Sequence, residues 1–382
     1  MAILGEDGWA GLTFARVAAR MGMSGQPVRS RARNRPELAV KVWDERSRTA
    51  LEQTLGSCIE GVAEVLAGRD AEPLVRAWKG FGSREPAMDA ASELLVLAHF
   101  EGRVAEAVLP SLRTMVQPWV TPTADLDRSA AARICFAISL GLGILMLARH
   151  ERARTVDLEP ALRSRAVALA AQATPQPMPD ATALHLLDLP ELAPGDPALD
   201  ILLNVTLALV GERGFDGVRV AEIARTAGFT EGLIYSRYRS KMELFQDAVK
   251  RQNEAGFGVN HEFTERLRAE HGLGMAEAVL LREFQLPAHR VPRVMALEQI
   301  RLTWHDEALM RQAGATLDEY RAGLLEDPSW QFEGEADFFL NYAITLGIAL
   351  MPTLAPDAFE LPFDVVTIPL FDMLQGQPGA SS

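Results

Sequence analysis

The chain has 382 residues, 48% hydrophobic and 23% charged, with a net charge of −13. That length accommodates about two ordinary domains, each able to bury its own core, and the composition excludes a disordered chain. The acidic balance offers nucleic acid no general attraction, so any such contact must come from a local basic face.

The chain opens MAILGEDGWAG, with acidic residues where a secretory leader carries basic ones, so no signal peptide is expected. Residues 5–39 recur at 211–245 without a gap, 206 positions later. Gly5, Glu6, Gly8, Gly11, Ala15, Ala18, Gly22, Ser30, Arg31, Arg33, Glu37 and Leu38 are identical to their partners. The same spacing returns when FAISLG at 136–141 becomes YAITLG at 342–347. The sequence therefore reads as two tandem copies of one unit. The implied segments are a first helix-turn-helix (1–45), a helical regulatory region (46–173), a Pro-rich linker (174–197), a second helix-turn-helix (198–250), a second helical region (251–375) and a disordered tail (376–382).

In the first block Thr13 caps a helix, Gly22 and Ser24 make the turn, and Asn34, Pro36 and Glu37 open the next helix. Pro27 is tolerable in the first turn of the middle helix. No helix is expected to precede this block. Arg29 and Ala32 stand where the second block has Tyr235 and Tyr238. Two readings stay open: a degenerate head, or an altered reader whose Arg29, Arg31, Arg33 and Arg35 grip phosphate.

Helical spacing follows over 46–68, 87–109, 133–149 and 159–172. The apolar run 134–148 is shorter than the ~18–20 residues of a membrane span, so a buried or pairing helix is expected. Within the linker, 181–189 has the makings of one short helix. Asp196 and Pro197 then open an apolar helix over 199–211. In the second block Gly228 supplies a positive φ, Thr230 caps the next helix, and Ser240 with Glu243 forms a capping box. Helices are expected again over 276–284, 293–310, 334–351 and 365–374, and nothing alternates with period two. The fold class is all-α.

Helix, glycine turn, helix is the geometry that sets a recognition helix in the DNA major groove. Gly228, Thr230, Gly232, Leu233, Ile234, Tyr235, Ser236, Arg237, Tyr238, Ser240, Lys241 and Leu244 resemble the motif of the TetR (tetracycline-repressor) family of bacterial regulators. The likeness covers about fifty residues. Arg219 departs from it, standing where the family has a capping hydroxyl. The resemblance implies an operator-binding dimer, in most cases a repressor, whose helical bundle takes a small-molecule effector, in the cytoplasm and without a cofactor.

On that reading Thr230, Tyr235 and Lys241 are placed for phosphate, with Arg219, Arg237 and Arg239 adding charge nearby. Glu231, Gly232, Ser236 and Arg237 are candidates for base edges. Leu233, Ile234 and Tyr238 read as core. Phe284, Met295, Trp304, Phe338, Phe339 and Tyr342 are candidates for an apolar effector cavity in the second half, and Trp78, Phe100 and Trp119 in the first. The tandem arrangement suggests an intramolecular pseudo-dimer, with Phe136–Leu147 packed on Tyr342–Met351. The rival is a homodimer using the second head alone. A helical module that senses a ligand or protein without touching DNA is the alternative function. The histidines show no paired metal spacing and no phosphate loop or nucleophile elbow occurs, so no enzyme is expected. Cys58 and Cys135 form no metal or disulfide pattern, which suits a reducing compartment.

Overall fold

The computed structural model describes residues 1–124, 126–179, 192, 195–326 and 334–376, without the side chains of 256–262, 316, 320, 323–326, 375 and 376. The described residues are all-α, with no strand. In the first half the helices are α1 (Ala2–Gly11), α2 (Phe14–Arg20), α3 (Gly25–Arg29), α4 (Arg35–Val42), α5 (Arg48–Leu66), α6 (Glu72–Phe81), α7 (Pro86–Leu97), α8 (Gly102–Val120), α9 (Arg128–Leu147), α10 (Glu151–Thr155) and α11 (Glu159–Ala170). The second half holds α12 (Pro197–Gly217), α13 (Val220–Ala227), α14 (Glu231–Arg237), α15 (Lys241–His271), α16 (Leu273–Gln285), α17 (Arg290–Thr303), α18 (Glu307–Glu326), α19 (Glu335–Leu354) and α20 (Asp364–Gly376). The short helix expected over 181–189 lies outside the described residues, as do 377–382.

Several expected boundaries shift. A π-turn at Trp43–Ser47 joins α4 to α5 without a break, and α15 runs on through residue 250, so neither head ends where its helix does. The helix expected over 87–109 divides at 98–101, and the one over 293–310 divides at 304–306, where Asp306 caps α18 through Ala308 N and Leu309 N. The segment α6 was not foreseen, and α8 continues through Pro110 and Pro118, which sequence reasoning treats as stops. The first head does have a preceding helix, but a short one. Residues 2–7 match the last turns of α12, and the chain then kinks at Gly8 (φ 65°) as it does at Gly214 (φ 71°).

The centre of the molecule is the pair α9 and α19. Every residue of α9 from Ala131 to Leu147 is buried. Gly143 lies so close to the Ala343 carbonyl, and Gly347 to the Ser139 carbonyl, that neither leaves space for a Cβ. Both helices are 20 residues long and apolar enough to cross a bilayer, α9 being longer than its uninterrupted apolar run suggested. Their apolar faces are instead packed inside the protein, 94% and 72% buried over the most apolar stretch. The cores under the two heads differ: the first head's residues join the main core, while α12–α15 enclose a core of their own around Leu203, Ile223, Ile234 and Leu244.

Each head is docked by a matched set of contacts. The Trp9 amide donates to Glu93 Oε1 at 2.9 Å, and the Phe215 amide to Glu298 Oε1 at 2.7 Å. A cation lies on each of those rings, Arg35 at 5.3 Å from Trp9 and Lys241 at 3.9 Å from Phe215. The kinks dock crosswise: Gly8 faces the His305 ring and Gly214 faces the Phe100 ring. Arg301, nearly wholly buried, donates to Glu93 (2.8 Å), Glu298 (2.7 Å) and Asp216 (2.7 Å). One guanidinium therefore touches the carboxylates that hold both heads. On the surface, Asp7 pairs with Arg16 at 3.3 Å, and at the matched positions Arg213 pairs with Glu222, the charges exchanged.

Candidate nucleic-acid interface and effector cavity

The second head is built in three steps. Asp196 accepts from Ala198 N and Leu199 N and, with Pro197 at the first turn, starts α12. Gly228, at φ 76°, closes α13 in the left-handed region. Thr230 then accepts from Leu233 N at 3.4 Å and opens α14, whose Ile234 is fully buried while Leu233 is half-buried. Tyr238 is buried too, its hydroxyl donating to Asp247 at 2.7 Å. Ser240 and Glu243 complete the capping box: Glu243 N donates to Ser240 Oγ at 3.1 Å, and Arg239 N donates to Glu243 Oε2 at 2.6 Å.

What remains outside is a short basic and polar face. Arg219, Thr230, Glu231, Gly232, Tyr235, Ser236 and Arg239 are all exposed, Tyr235 by 54% despite its size. Ser236 donates back to the Leu233 carbonyl at 2.7 Å, so its lone pairs face solvent. Arg219 precedes α13 without a side-chain cap bond.

One placement differs from the expected one. The Lys241 ammonium points inward, donating to the carbonyls of Phe215 (2.7 Å) and Val218 (2.8 Å), and burial lowers its pKa. It fastens the end of α12 to the start of α15 and does not present a free charge to phosphate. Arg237, also exposed, donates through Nη1 to Asp196 at 2.6 Å.

In the first head Thr13 accepts from Arg16 N at 3.3 Å, whereas Ser24 makes no side-chain cap bond and α3 has only five residues. Arg29 lies over the Phe14 ring (5.4 Å) and the half-buried Arg35 over Trp9, while Arg29, Arg31 and Arg33 are all exposed. Met21 and Met23, on either side of the turn glycine, are 50% and 38% exposed.

A cavity of about 300 Å³ lies beneath the second head, between α15, α17, α18 and α19. Phe338 and Tyr342 line it, together with Phe245, Val249, Ile300, Leu302, Leu309 and Leu317. Burial pushes the Tyr342 phenol up to about 12 and so keeps it neutral. The other aromatic candidates lie elsewhere. Met295 belongs to the core under the head, Phe284 packs on the main core, and Trp304 carries the Arg149 guanidinium at 4.9 Å. In the first half Trp78 borders a separate cavity of about 380 Å³ that Phe339 also lines, Phe100 packs on Gly214, and Trp119 is 44% exposed. Phe245 and Val249 escaped sequence reasoning because they sit on the helix assigned to DNA binding. The signal available was that α15 has no break between head and bundle.

Residues 202–248 match the family model described as bacterial regulatory proteins, tetR family. The match spans α12 through the first turns of α15 and supports, at family level, a DNA-binding regulator. No curated protein matches the chain.

Proposed function

We propose that the chain is a TetR-like transcriptional regulator in which the second head reads DNA and a small molecule in the adjoining cavity releases it. The observation that carries this reading is the exposed face of α14 and the turn after it, with Tyr235, Ser236 and Arg239 outside and a satisfied core behind them, in the segment that matches the family. The route from cavity to DNA is short. Phe245 lines the cavity and packs tilted against Phe215, ring centroids 5.2 Å apart, and Phe215 is the residue whose amide Glu298 holds. A ligand that moves Phe245 bears directly on the seat of the head.

The same proposal makes the chain a pseudo-dimer in itself, acting in the cytoplasm. Supporting it are the α9–α19 seam, closed by two glycines against facing carbonyls, and the reciprocal docking of each kink on the opposite half. The unequal heads suit an asymmetric operator. Net charge and the weak first head favour the rival, a sensor module that leaves DNA alone. Selection of bound DNA from a random pool, followed by a mobility shift with Tyr235→Ala and Arg239→Ala, tests the choice. No sequence enriched at low salt defeats the DNA reading. Light scattering tests the pseudo-dimer, which a stable mass of twice the 41.8 kDa chain would sink.

A further inference from the structure

The cavity beneath the second head has a polar wall with helical spacing: Gln299 and Thr303 on α17, Asn341 and Thr345 on α19. The chain contains its own comparison for that wall. At the matched positions, 205 residues earlier at the end of α7 and 206 earlier on α9, stand Leu94, Ala98, Cys135 and Ser139, all buried, whereas of the four wall residues Thr303 is buried, Gln299 and Asn341 are half-buried and Thr345 is exposed. The register is fixed by Glu93 and Glu298, which accept the corresponding amides of Trp9 and Phe215. Helices in this place therefore pack with apolar or small side chains at all four positions, and the bundle itself does not require the amides.

The polar atoms are also suitably presented. Thr303 Oγ1 donates to the Ile300 carbonyl at 2.6 Å and Thr345 Oγ1 to the Asn341 carbonyl at 3.3 Å, which leaves their lone pairs as acceptors. The Gln299 and Asn341 amides bring donors and acceptors. Among the described lining residues there is no carboxylate. Of the two basic ones, Lys250 is 59% exposed and pairs with Glu254 at 3.7 Å. His150 accepts from Ala153 N, and burial lowers its pKa, which favours the neutral ring.

We infer that this cavity takes one uncharged, mainly apolar organic molecule per chain, held by one or two hydrogen bonds, and discriminates against ions of either sign. The inference rests on the cavity being the effector site. An ion brought here would lose its hydration without gaining a buried counter-charge. A hydroxyl or carbonyl finds partners on two walls.

Calorimetry on the full chain at neutral pH tests it with three probes of one shape: 2-naphthol, 2-naphthoate and (2-naphthyl)methylammonium. The expected result is one 2-naphthol per chain, bound about tenfold or more tighter than either ion. Two variants import first-half residues. Gln299→Leu with Thr303→Ala should weaken 2-naphthol about tenfold with the melting temperature held. Val249→Trp, which copies the fully buried Trp43 at the matched position, should abolish binding by filling the space. An ion that binds as tightly as 2-naphthol, undiminished binding in a folded variant, or no binding of 2-naphthol overturns the inference. DNA affinity measured on the same samples separates the two readings. Bound 2-naphthol that leaves DNA affinity unchanged defeats the effector role alone, and release driven by the ammonium probe defeats the ligand class alone.

Discussion

Arg301 and Glu93 are 208 residues apart in sequence and 2.8 Å apart in the fold, both almost wholly inside the protein. Burial raises the Glu93 pKa, but Arg301 and His305 outweigh it and bring it down to about 2. A carboxylate whose folded pKa is depressed adds stability that is present above its unfolded value and disappears as pH falls through the folded value. Urea titrations should therefore show stability falling between about pH 5 and pH 2, and Glu93→Gln should flatten that part of the profile. Arg301→Met leaves buried carboxylates without their cation and should cost about 3–5 kcal/mol. A change below 1 kcal/mol would show that the network contributes little.

Lys241 and the exposed residues Tyr235 and Arg239 should separate cleanly. Lys241→Met strands two carbonyls that the ammonium satisfies, so we expect a loss of about 1–3 kcal/mol. Its effect on DNA binding should follow the population of folded head. Tyr235→Ala and Arg239→Ala remove groups that touch solvent, and should lower DNA affinity with the melting curve unmoved. Arg239→Ala should also flatten the salt dependence by about one unit of slope. A Lys241→Met protein with unchanged melting and a reduced salt slope would restore Lys241 to the phosphate.

The seam predicts opposite outcomes for two helical glycines. Gly143→Ala places a methyl on the Ala343 carbonyl, and no rotamer relieves a clash with backbone. Calorimetry should record a loss of about 3 kcal/mol or an insoluble product. Gly56, within α5, has nothing within 4 Å of where a Cβ would stand. Gly56→Ala should stabilise by about 0.5–1 kcal/mol.

Glu277 supplies a pH dependence of the other sign. It is buried, and desolvation raises its carboxyl to about 7, with Arg268 offsetting only part of the shift. The folded state therefore holds this proton more firmly than the unfolded chain does. Its contribution to stability declines as pH rises from about 4.5 to 7. Glu277→Gln should be nearly neutral at pH 4 and stabilising at pH 8, as read from urea midpoints. Equal effects at both values would refute the shift.

Much of the second head was legible because its signals are local. Asp196, Gly228, Thr230 and Ser240 each act within three residues of themselves, and each does in the fold what its spacing suggests. The inward turn of Lys241 was not legible because its partners are 26 and 23 residues away, and nothing in the motif marks those carbonyls. The cavity was half legible for the same reason. Phe338 and Tyr342 were found on the apolar helix, while Phe245 and Val249 reach it only through the path of α15. Phe100, read as a cavity candidate, and His305 lie in the breaks of the split helices, and their contact with a kink in the opposite half has no local signal in the sequence.

The exchanged ion pairs, Asp7 with Arg16 and Arg213 with Glu222, add little stability as exposed contacts. A chain with two similar heads can dock the second helix of one against the first helix of the other, a hazard of duplicated sequences. That mistake would set Asp7 against Glu222 and Arg213 against Arg16, two repulsions in place of two attractions. On the pseudo-dimer reading, the reversal makes the wrong pairing repulsive where the right one is attractive, so the difference between them is wider than either bond is strong.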